Sequence, residues 1–435
     1  MEQDNIRDNI KEKAVIVGIQ LDSMNESDYR LSIEELENLC DACNMVVVAK
    51  VEQRLDQPNK ALYIGSGKLS EVHRLYEAFE ADVVIFDNTL SPMQIRNIQG
   101  VLGCPVMDRT GLILEIFESR ARTREARLQV EVAKLQYMLP RLVGLHEALS
   151  RQGGGGGSRA NKGAGEKKLE LDRRKLEHRL TQLKNELKGI KKERQIQRSR
   201  RADSGEIRVA LVGYTNAGKS TLMNAMIDMF YSPNPMVEEK TVFEKDMLFA
   251  TLDTTVRQIK PKNHQKILLS DTVGFISNLP HSLVEAFHST LEEAMEADVL
   301  IHMIDYSDEN YMDQIRVTED TLRELGAADI PTVYVYNKAD KCMDESKLPK
   351  VEDGRIYMSA KKKLGIDELL TMVESTIEHS FVEASLHISY NEGKILSYMN
   401  DNASVRETEY TEDGILIRAK MNRIDYERYK QYVID

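Results

Sequence analysis

The sequence predicts an α/β multidomain protein, and three observations carry that expectation. Short apolar runs alternate with amphipathic helical patterns over the first ~110 residues, a long heptad-patterned stretch follows, and a GxxxxGK[ST] loop then succeeds a β-rich run at Gly213. The expected units are an N-terminal βαβ domain over 1–112, a long antiparallel helical hairpin over 113–203 with a Gly-rich tip at 151–165, a P-loop domain over 204–381, and a small α+β domain over 382–435. The 435 residues are about three times the ~150-residue prior for one domain, and 41% hydrophobic content fits a soluble globular chain. The start MEQDNIRDNIKEK is polar, and no apolar run approaches the ~18 to 20 residues of a membrane span, so a cytoplasmic protein is expected.

In the first domain AVIVGIQ (14–20), MVVVAKV (45–51) and DVVIFDN (82–88) read as strands. LSIEELENLCDAC, GKLSEVHRLYEAFE and SPMQIRNIQGVLG read as helices, an alternation that implies a largely parallel sheet. In LYIGSGKLSEV, Gly65 and Gly67 would let backbone amides face an anion, but the third glycine of a dinucleotide fingerprint is missing, so a tight strand-to-helix turn is expected. Cys40 and Cys43 form a CxxC late in a helical pattern. With no second cysteine pair or nearby histidine to complete a zinc set, they read as buried helix-face thiols.

From about Thr110 the pattern is helical, and Leu128, Val132, Leu135, Leu139 and Leu142 step by 4, 3, 4 and 3. Pro140 predicts a kink or break. After the glycine run RQGGGGGSRANKGAG a second seam follows: Leu169, Leu176, Leu180, Leu183, Leu187 and Ile190. Two such helices joined by a ~20-residue loop fold back most simply as an antiparallel hairpin roughly 45 Å long with the glycine loop at its tip. Residues 115–201 carry 23 Lys/Arg against 11 Asp/Glu, a net +12 that leaves −24 on the remainder of a chain of net charge −12. A local basic stretch between acidic flanks is the pattern of a confined polyanion contact, with Arg151, Arg159 and Lys162 as the RNA-contact candidates at the tip. The competing expectation is a solvated, lysine-rich helix face with a flexible linker.

The chemistry begins at EIRVALVGYTNAGKST. Gly213, Tyr214, Thr215, Asn216, Ala217, Gly218, Lys219, Ser220 and Thr221 are expected to cradle phosphates: backbone amides face the α- and β-phosphates, Lys219 reaches the β- and γ-phosphates, and the Ser220 hydroxyl meets Mg²⁺. After the strand KILLS come Asp271, Thr272, Val273 and Gly274, a carboxylate able to hold Mg²⁺ through water and a glycine whose amide can meet the γ-phosphate. TVYVY then ends in Asn337-Lys338-Ala339-Asp340. The Asp340 carboxylate can accept two hydrogen bonds from the N1 and N2 groups of guanine, a donor pair adenine lacks, so GTP is the expected substrate. Asn337 would brace the loop, the Lys338 stem would cover the base, and Ser359-Ala360-Lys361 would present the Ala360 amide to the guanine O6. The guanine-reading Asp340 disfavours a metabolic kinase.

In LFATLDTTVRQI either Thr254 or Thr255 can complete the magnesium shell and sense the γ-phosphate. Phe275 stands where many GTPases place a water-orienting glutamine, so slow intrinsic hydrolysis is expected unless another group positions the water. The Asn216 amide is a candidate K⁺ ligand near the β- and γ-phosphates, and the alternative is a bond to its own loop.

Taken together, ALYIGSGKLSEV, ARTREARLQVEVAKLQYMLPRL, the glycine segment leading to GEKKLELDRR, RVALVGYTNAGKSTL, FATLDTTVR, DTVGFI and NKAD resemble the HflX family of ribosome-binding GTPases over nearly the full chain. The resemblance implies the four-part architecture above, binding to the large ribosomal subunit near the peptidyl transferase centre, and splitting of stalled or idle ribosomes. It also selects Thr255, because the family reads Asp-Pro-Thr where this chain has Asp253-Thr254-Thr255. The metal set is then Ser220, Thr255 and Asp271, and Lys219, Thr255 and Gly274 act on the triphosphate. One departure is clear: the family loop reads close to GGIGTRGPGETQLETDRR, and here it is GGGGGSRANKGAGEKKLELDRR. A GTPase acting in ribosome assembly, or through a protein partner of the hairpin without splitting, is the alternative. A monomer is expected. The last ~50 residues predict a helix, two strands about the turn EDG, and a final helix, with no chemistry of their own.

Overall fold

The computed structural model describes residues 11–151, 171–190, 192, 207–230, 249, 255–261, 266–277, 283, 291–411 and 413–434. The N-terminal unit runs β1 (Glu12–Leu21), α1 (Glu26–Ala42), β2 (Met45–Leu55), α2 (Ser66–Ala78), β3 (Val83–Phe86), α3 (Pro92–Leu102), β4 (Val106–Asp108) and α4 (Arg109–Arg120). The strands lie in the order β2-β1-β3-β4, all parallel. In β1, Ala14 and Ile16 enter one buried cluster while Val15, Val17 and Ile19 enter another, so the sheet is covered on both faces and an unbroken apolar run is what it needs. α3 starts at a capping box between Ser91 and Gln94, with Pro92 at its first turn.

The Gly65 turn is structural: its amide donates to Gln53 Oε1 at 2.9 Å, and Lys68 pairs with Glu71. Cys40 is buried, Cys43 Sγ donates to Leu112 O at 3.7 Å, and burial pushes both thiols up to about 12, far from a reactive thiolate. Among the described residues no three His, Cys, Asp or Glu side chains are grouped to hold a metal.

α5 (Arg124–Arg151) packs against α6 (residues 171–190). Leu128, Val132, Leu135 and Leu183 are buried together, with Leu176, Leu180, Leu187 and Ile190 packed against them. Burying such a side chain contributes roughly 1.5–3 kcal/mol. Arg179 binds Glu131 at 2.8 Å and Arg124 binds Glu186 at 3.2 Å, partners that advance in opposite directions and fix an antiparallel pair. Leu169 lies outside the described residues.

Pro140 does not end the helix, contrary to the break its sequence allows. Its ring removes one backbone donor and crowds the preceding turn. In the same turn the Arg141 side chain donates through Nη1 to Tyr137 O at 2.6 Å. The same turn is tied to the N-terminal domain, because buried Asp108 accepts from the Tyr137 hydroxyl at 2.6 Å and from Arg141 at 3.0 Å.

The third unit comprises β5 (Ile207–Gly213), α7 (Lys219–Phe230), β6 (Thr255–Ile259), β7 (Ile267–Asp271), β8 (Val299–Asp305), α8 (Tyr311–Glu324), β9 (Thr332–Asn337), β10 (Lys350–Glu352), β11 (Arg355–Tyr357) and α9 (Ile366–Ser380). Its seven-stranded sheet has the order β10-β11-β9-β8-β5-β7-β6, parallel except at the antiparallel edges β10 and β6. α7 and α9 cover one face and α8 the other. The chain leaves β5 toward β7 on one side and continues to β8 on the other, so the carboxyl end of β5 is the crevice where such sheets bind ligands.

The C-terminal unit holds β12 (Phe381–Ile388), α10 (Gly393–Asn402), β13 (Ser404–Thr411), β14 (Gly414–Asn422) and α11 (Arg423–Arg428). Its sheet is antiparallel in the order β12-β14-β13. The structure adds β12 to the two expected strands. Ala384, Leu386 and Ile388 face its core at a period of two, a signal shortened by the adjoining helix α9.

Candidate active site

The ends of β5, β7, β8 and β9 converge on one crevice. β5 delivers Gly213, and the loop turns into α7 with Lys219 and Ser220 in its first turn and Thr221 beside them. Gly218 adopts φ +93°, and a Cβ there would stand 2.2 Å from Asn337 Nδ2, so only glycine lets the loop pass the base-side strand. Asn337 closes this junction. Its Nδ2 donates to Ala217 O at 2.9 Å and its Oδ1 accepts from the Ala360 amide at 2.9 Å.

Lys219 is buried and donates through Nζ to Gly213 O at 2.9 Å and Tyr214 O at 2.8 Å. Burial pushes its ammonium down from the ordinary 10.5 to about 8, a shift the Asp271 charge only partly opposes. Adjacent phosphates would restore the proton, so above pH 8 the bound state holds more protons than the free state. Nucleotide affinity is therefore expected to be flat below about pH 8 and to fall by up to about tenfold per pH unit above it. Calorimetric titration in buffers of different ionisation enthalpy checks this through proton uptake at pH 8.5 that vanishes at pH 6.5.

Ser220 Oγ donates to Asp271 Oδ2 at 2.7 Å, and Thr255 on β6 is the register partner of Asp271 on β7. The Ser220 hydroxyl and an Asp271 carboxylate oxygen in contact, with Thr255 opposite as a second hydroxyl-bearing residue, form a hard-oxygen set of the kind Mg²⁺ takes alongside phosphates and water. Thr254 lies outside the described residues. Thr272 is buried and donates to Leu211 O at 2.6 Å, which holds the strand end in place, and Val273 is buried in the cluster that includes Leu112 and Phe117 of the N-terminal unit.

Gly274 lies directly on the P-loop. A Cβ there would meet Thr215 Cγ2 at 2.8 Å, Thr215 Cα at 2.9 Å and Lys219 Nζ at 3.1 Å. Phe275 bridges to Tyr214: the Thr215 amide donates to Phe275 O at 2.8 Å and the Phe275 amide to Gly213 O at 3.2 Å. The Phe275 ring is buried with Ala210, Val212, Leu291 and Ala294, turned into the core. Asn216 is exposed with φ +61°.

At the base side Lys338, at φ +59°, donates to Asp305 Oδ2 at 2.7 Å. Lys362 lies 3.1 Å from Asp340 Oδ2. Burial raises the Asp340 pKa, but hydrogen bonds from Ser359 and Lys362 together with the Lys362 charge outweigh it and hold the carboxyl below its usual range. Asp340 thus stays an ionised acceptor, as guanine reading requires. Ala360 departs from its expected place: its amide is engaged by Asn337, because that side chain must span from the P-loop to the 359–361 turn. Lys361 is exposed next to it.

Two contributors carry no local signal. Lys362 stands one residue past the expected Ser-Ala-Lys, and Glu35 reaches the P-loop from α1, accepting a hydrogen bond from the Tyr214 hydroxyl. Burial raises the Glu35 pKa, opposed by Arg109, Tyr214 and Ser277. At the arm, Arg151 is the last residue of α5, and Arg159 and Lys162 lie outside the described residues.

Residues 30–118 match the family described as GTP-binding GTPase N-terminal, 120–201 that described as GTP-binding GTPase Middle Region, and 208–338 that described as 50S ribosome-binding GTPase. The GTPase HflX of Caldanaerobacter subterraneus subsp. tengcongensis is 40% identical over 424 residues, covering 98% of this chain and 94% of that protein. This chain belongs to the HflX family. The GTPase HflX of Lacrimispora saccharolytica is 41% identical over 411 residues, 94% of this chain and 93% of its own length. That of Escherichia coli is 36% identical over 422 residues, 96% and 95% respectively. As an HflX-family member the chain is a GTP hydrolase, with GTP as substrate. Among the described residues no helix is long and apolar enough to cross a membrane.

Proposed function

We propose that this GTPase binds the large ribosomal subunit and uses its GTP cycle to split or rescue ribosomes. Bound GTP orders the loops around Thr255 and Gly274, the ordered state fits the subunit, and the basic arm presents Arg151, Arg159 and Lys162 to ribosomal RNA. The observation that carries this reading is the antiparallel α5–α6 pair. It joins the two helices that flank the glycine-rich connection into one arm, which is bonded to Asp108 of the N-terminal domain through Tyr137 and Arg141 midway along α5. The description of the family matching 208–338, a 50S ribosome-binding GTPase, supports the same partner.

Ser220, Thr255 and Asp271 would hold Mg²⁺, which supplies positive charge to the β- and γ-phosphates when bound. Lys219 complements those phosphates and Asp340 selects the base. Asn216 is the proposed K⁺ ligand, and equal turnover in K⁺ and Na⁺ would remove that role. A cytoplasmic setting follows from the partner.

Replacing Arg151, Arg159 and Lys162 together with alanine is expected to weaken co-sedimentation with ribosomes. Each phosphate that the variant no longer neutralises should flatten the dependence of log affinity on log salt by about 0.7–0.9. Unchanged co-sedimentation and an unchanged slope would favour a protein partner for the hairpin instead.

A further inference from the structure

Glu35 lies on α1, far in sequence from the nucleotide loops, yet one of its oxygens joins two of them. Oε1 accepts from the Tyr214 hydroxyl in the P-loop and from the Ser277 amide at 3.2 Å, three residues past Gly274. The Tyr214 hydroxyl also lies 3.0 Å from the Ser277 amide and 2.8 Å from its Oγ, closing the triangle. The other Glu35 oxygen is fixed from behind by Arg109 Nη2 at 2.7 Å. Arg109 is 1% exposed and is held in turn by Ser32 Oγ at 3.1 Å and Asp87 Oδ1 at 3.3 Å, so the carboxylate cannot follow a moving loop.

What this anchor holds in place is Gly274, whose missing Cβ would stand 3.1 Å from the Lys219 ammonium. A γ-phosphate that meets both Lys219 and the Gly274 amide has to enter between them, which moves residues 274–277 away from the P-loop. Ser277 is bonded both to Glu35 Oε1 and to the Tyr214 hydroxyl, so that movement stretches the Ser277 bonds to each of them. A diphosphate stops short of Gly274 and leaves them intact.

We infer that Glu35 is a positioning residue lent by the N-terminal domain to the nucleotide site. By holding the segment after Gly274 against the P-loop, it sets the discrimination between GDP and GTP. Its neighbour relations give the device reach. Arg109 follows Asp108, which bonds Tyr137 and Arg141 midway along α5, so the residues that grip Glu35 and the arm are adjacent in the chain. By linkage, whatever opens the clamp from the arm side raises triphosphate affinity by the same factor that triphosphate binding favours the open arm.

The test is a titration of the full-length protein with GDP and with a non-hydrolysable GTP analogue, comparing wild type, Glu35→Ala and Tyr214→Phe. Glu35→Ala is expected to raise analogue affinity relative to GDP by about tenfold, equivalent to ~1.4 kcal/mol, with GDP affinity within about twofold of wild type. Tyr214→Phe, which deletes one hydroxyl and leaves the Glu35–Arg109 pair, is expected to shift the ratio in the same direction and serves if Glu35→Ala does not fold. A ratio unchanged in folded Tyr214→Phe, a ratio shifted toward GDP, or an equal change for both nucleotides would overturn the inference. A purely structural role would lower thermal stability and leave the ratio alone.

Discussion

Lys219→Ala is expected to lower guanine-nucleotide affinity by about two to three orders of magnitude and to abolish measurable turnover. The ammonium is buried against Gly213 O and Tyr214 O, at the spot the β- and γ-phosphates would occupy. Removing it leaves concentrated negative charge facing a desolvated loop, an imbalance worth about 3–4 kcal/mol, or ~10²–10³ in affinity. The protein itself should remain folded, because deleting a desolvated cation also removes its burial penalty. Equilibrium binding of a fluorescent GTP analogue, alongside thermal denaturation, checks both parts. Affinity within about threefold of wild type would take Lys219 out of the phosphate site.

Asp340→Asn is expected to change which base is accepted as well as how tightly. An ionised carboxylate takes both guanine donors, and each hydrogen bond to a charged group is worth about 1.5–3 kcal/mol. The asparagine amide keeps one acceptor and sets an NH₂ against the guanine N2 amine, so GTP affinity should fall by about 10²-fold or more. Xanthine carries a carbonyl where guanine has that amine, and the new NH₂ can donate to it, so XTP should gain on GTP. Lys362 and Ser359, now bonded to Asp340, would have to yield or rearrange as guanine enters, and both remain in the variant. Competition among GTP, XTP and ATP measures the switch, and guanine preference that survives the substitution would place base reading elsewhere.

The nucleotide loops were legible because their chemistry depends on short-range spacing. Gly218, Lys219 and Ser220 are adjacent, and Asp271 and Asn337 end apolar strands, so the pattern announces which ends of the sheet will meet. The hairpin was legible for a similar reason: leucines every three or four residues on both segments require a common seam, and Leu128, Val132, Leu135 and Leu183 form one. Tertiary compensation was not legible. Pro140 predicts a kink or break, and nothing local says that the helix will run on to Arg151 while Arg141 bonds Tyr137 O and, across the fold, Asp108. The Ala360 amide looks free in sequence, but Asn337 takes it because the asparagine also has to reach Ala217. Glu35 reads as one more acid on an amphipathic helix, and its contact with Tyr214 bridges 179 residues, a separation over which no periodicity operates.

In the proposed cycle the state of the phosphate site governs how firmly the arm holds ribosomal RNA. Sedimentation of ribosomal subunits through sucrose with the protein empty, GDP-loaded or loaded with a non-hydrolysable GTP analogue tests this coupling. Strong retention on the large subunit is expected with the analogue, and at least about tenfold weaker retention with GDP. Equal retention in all three states would contradict it.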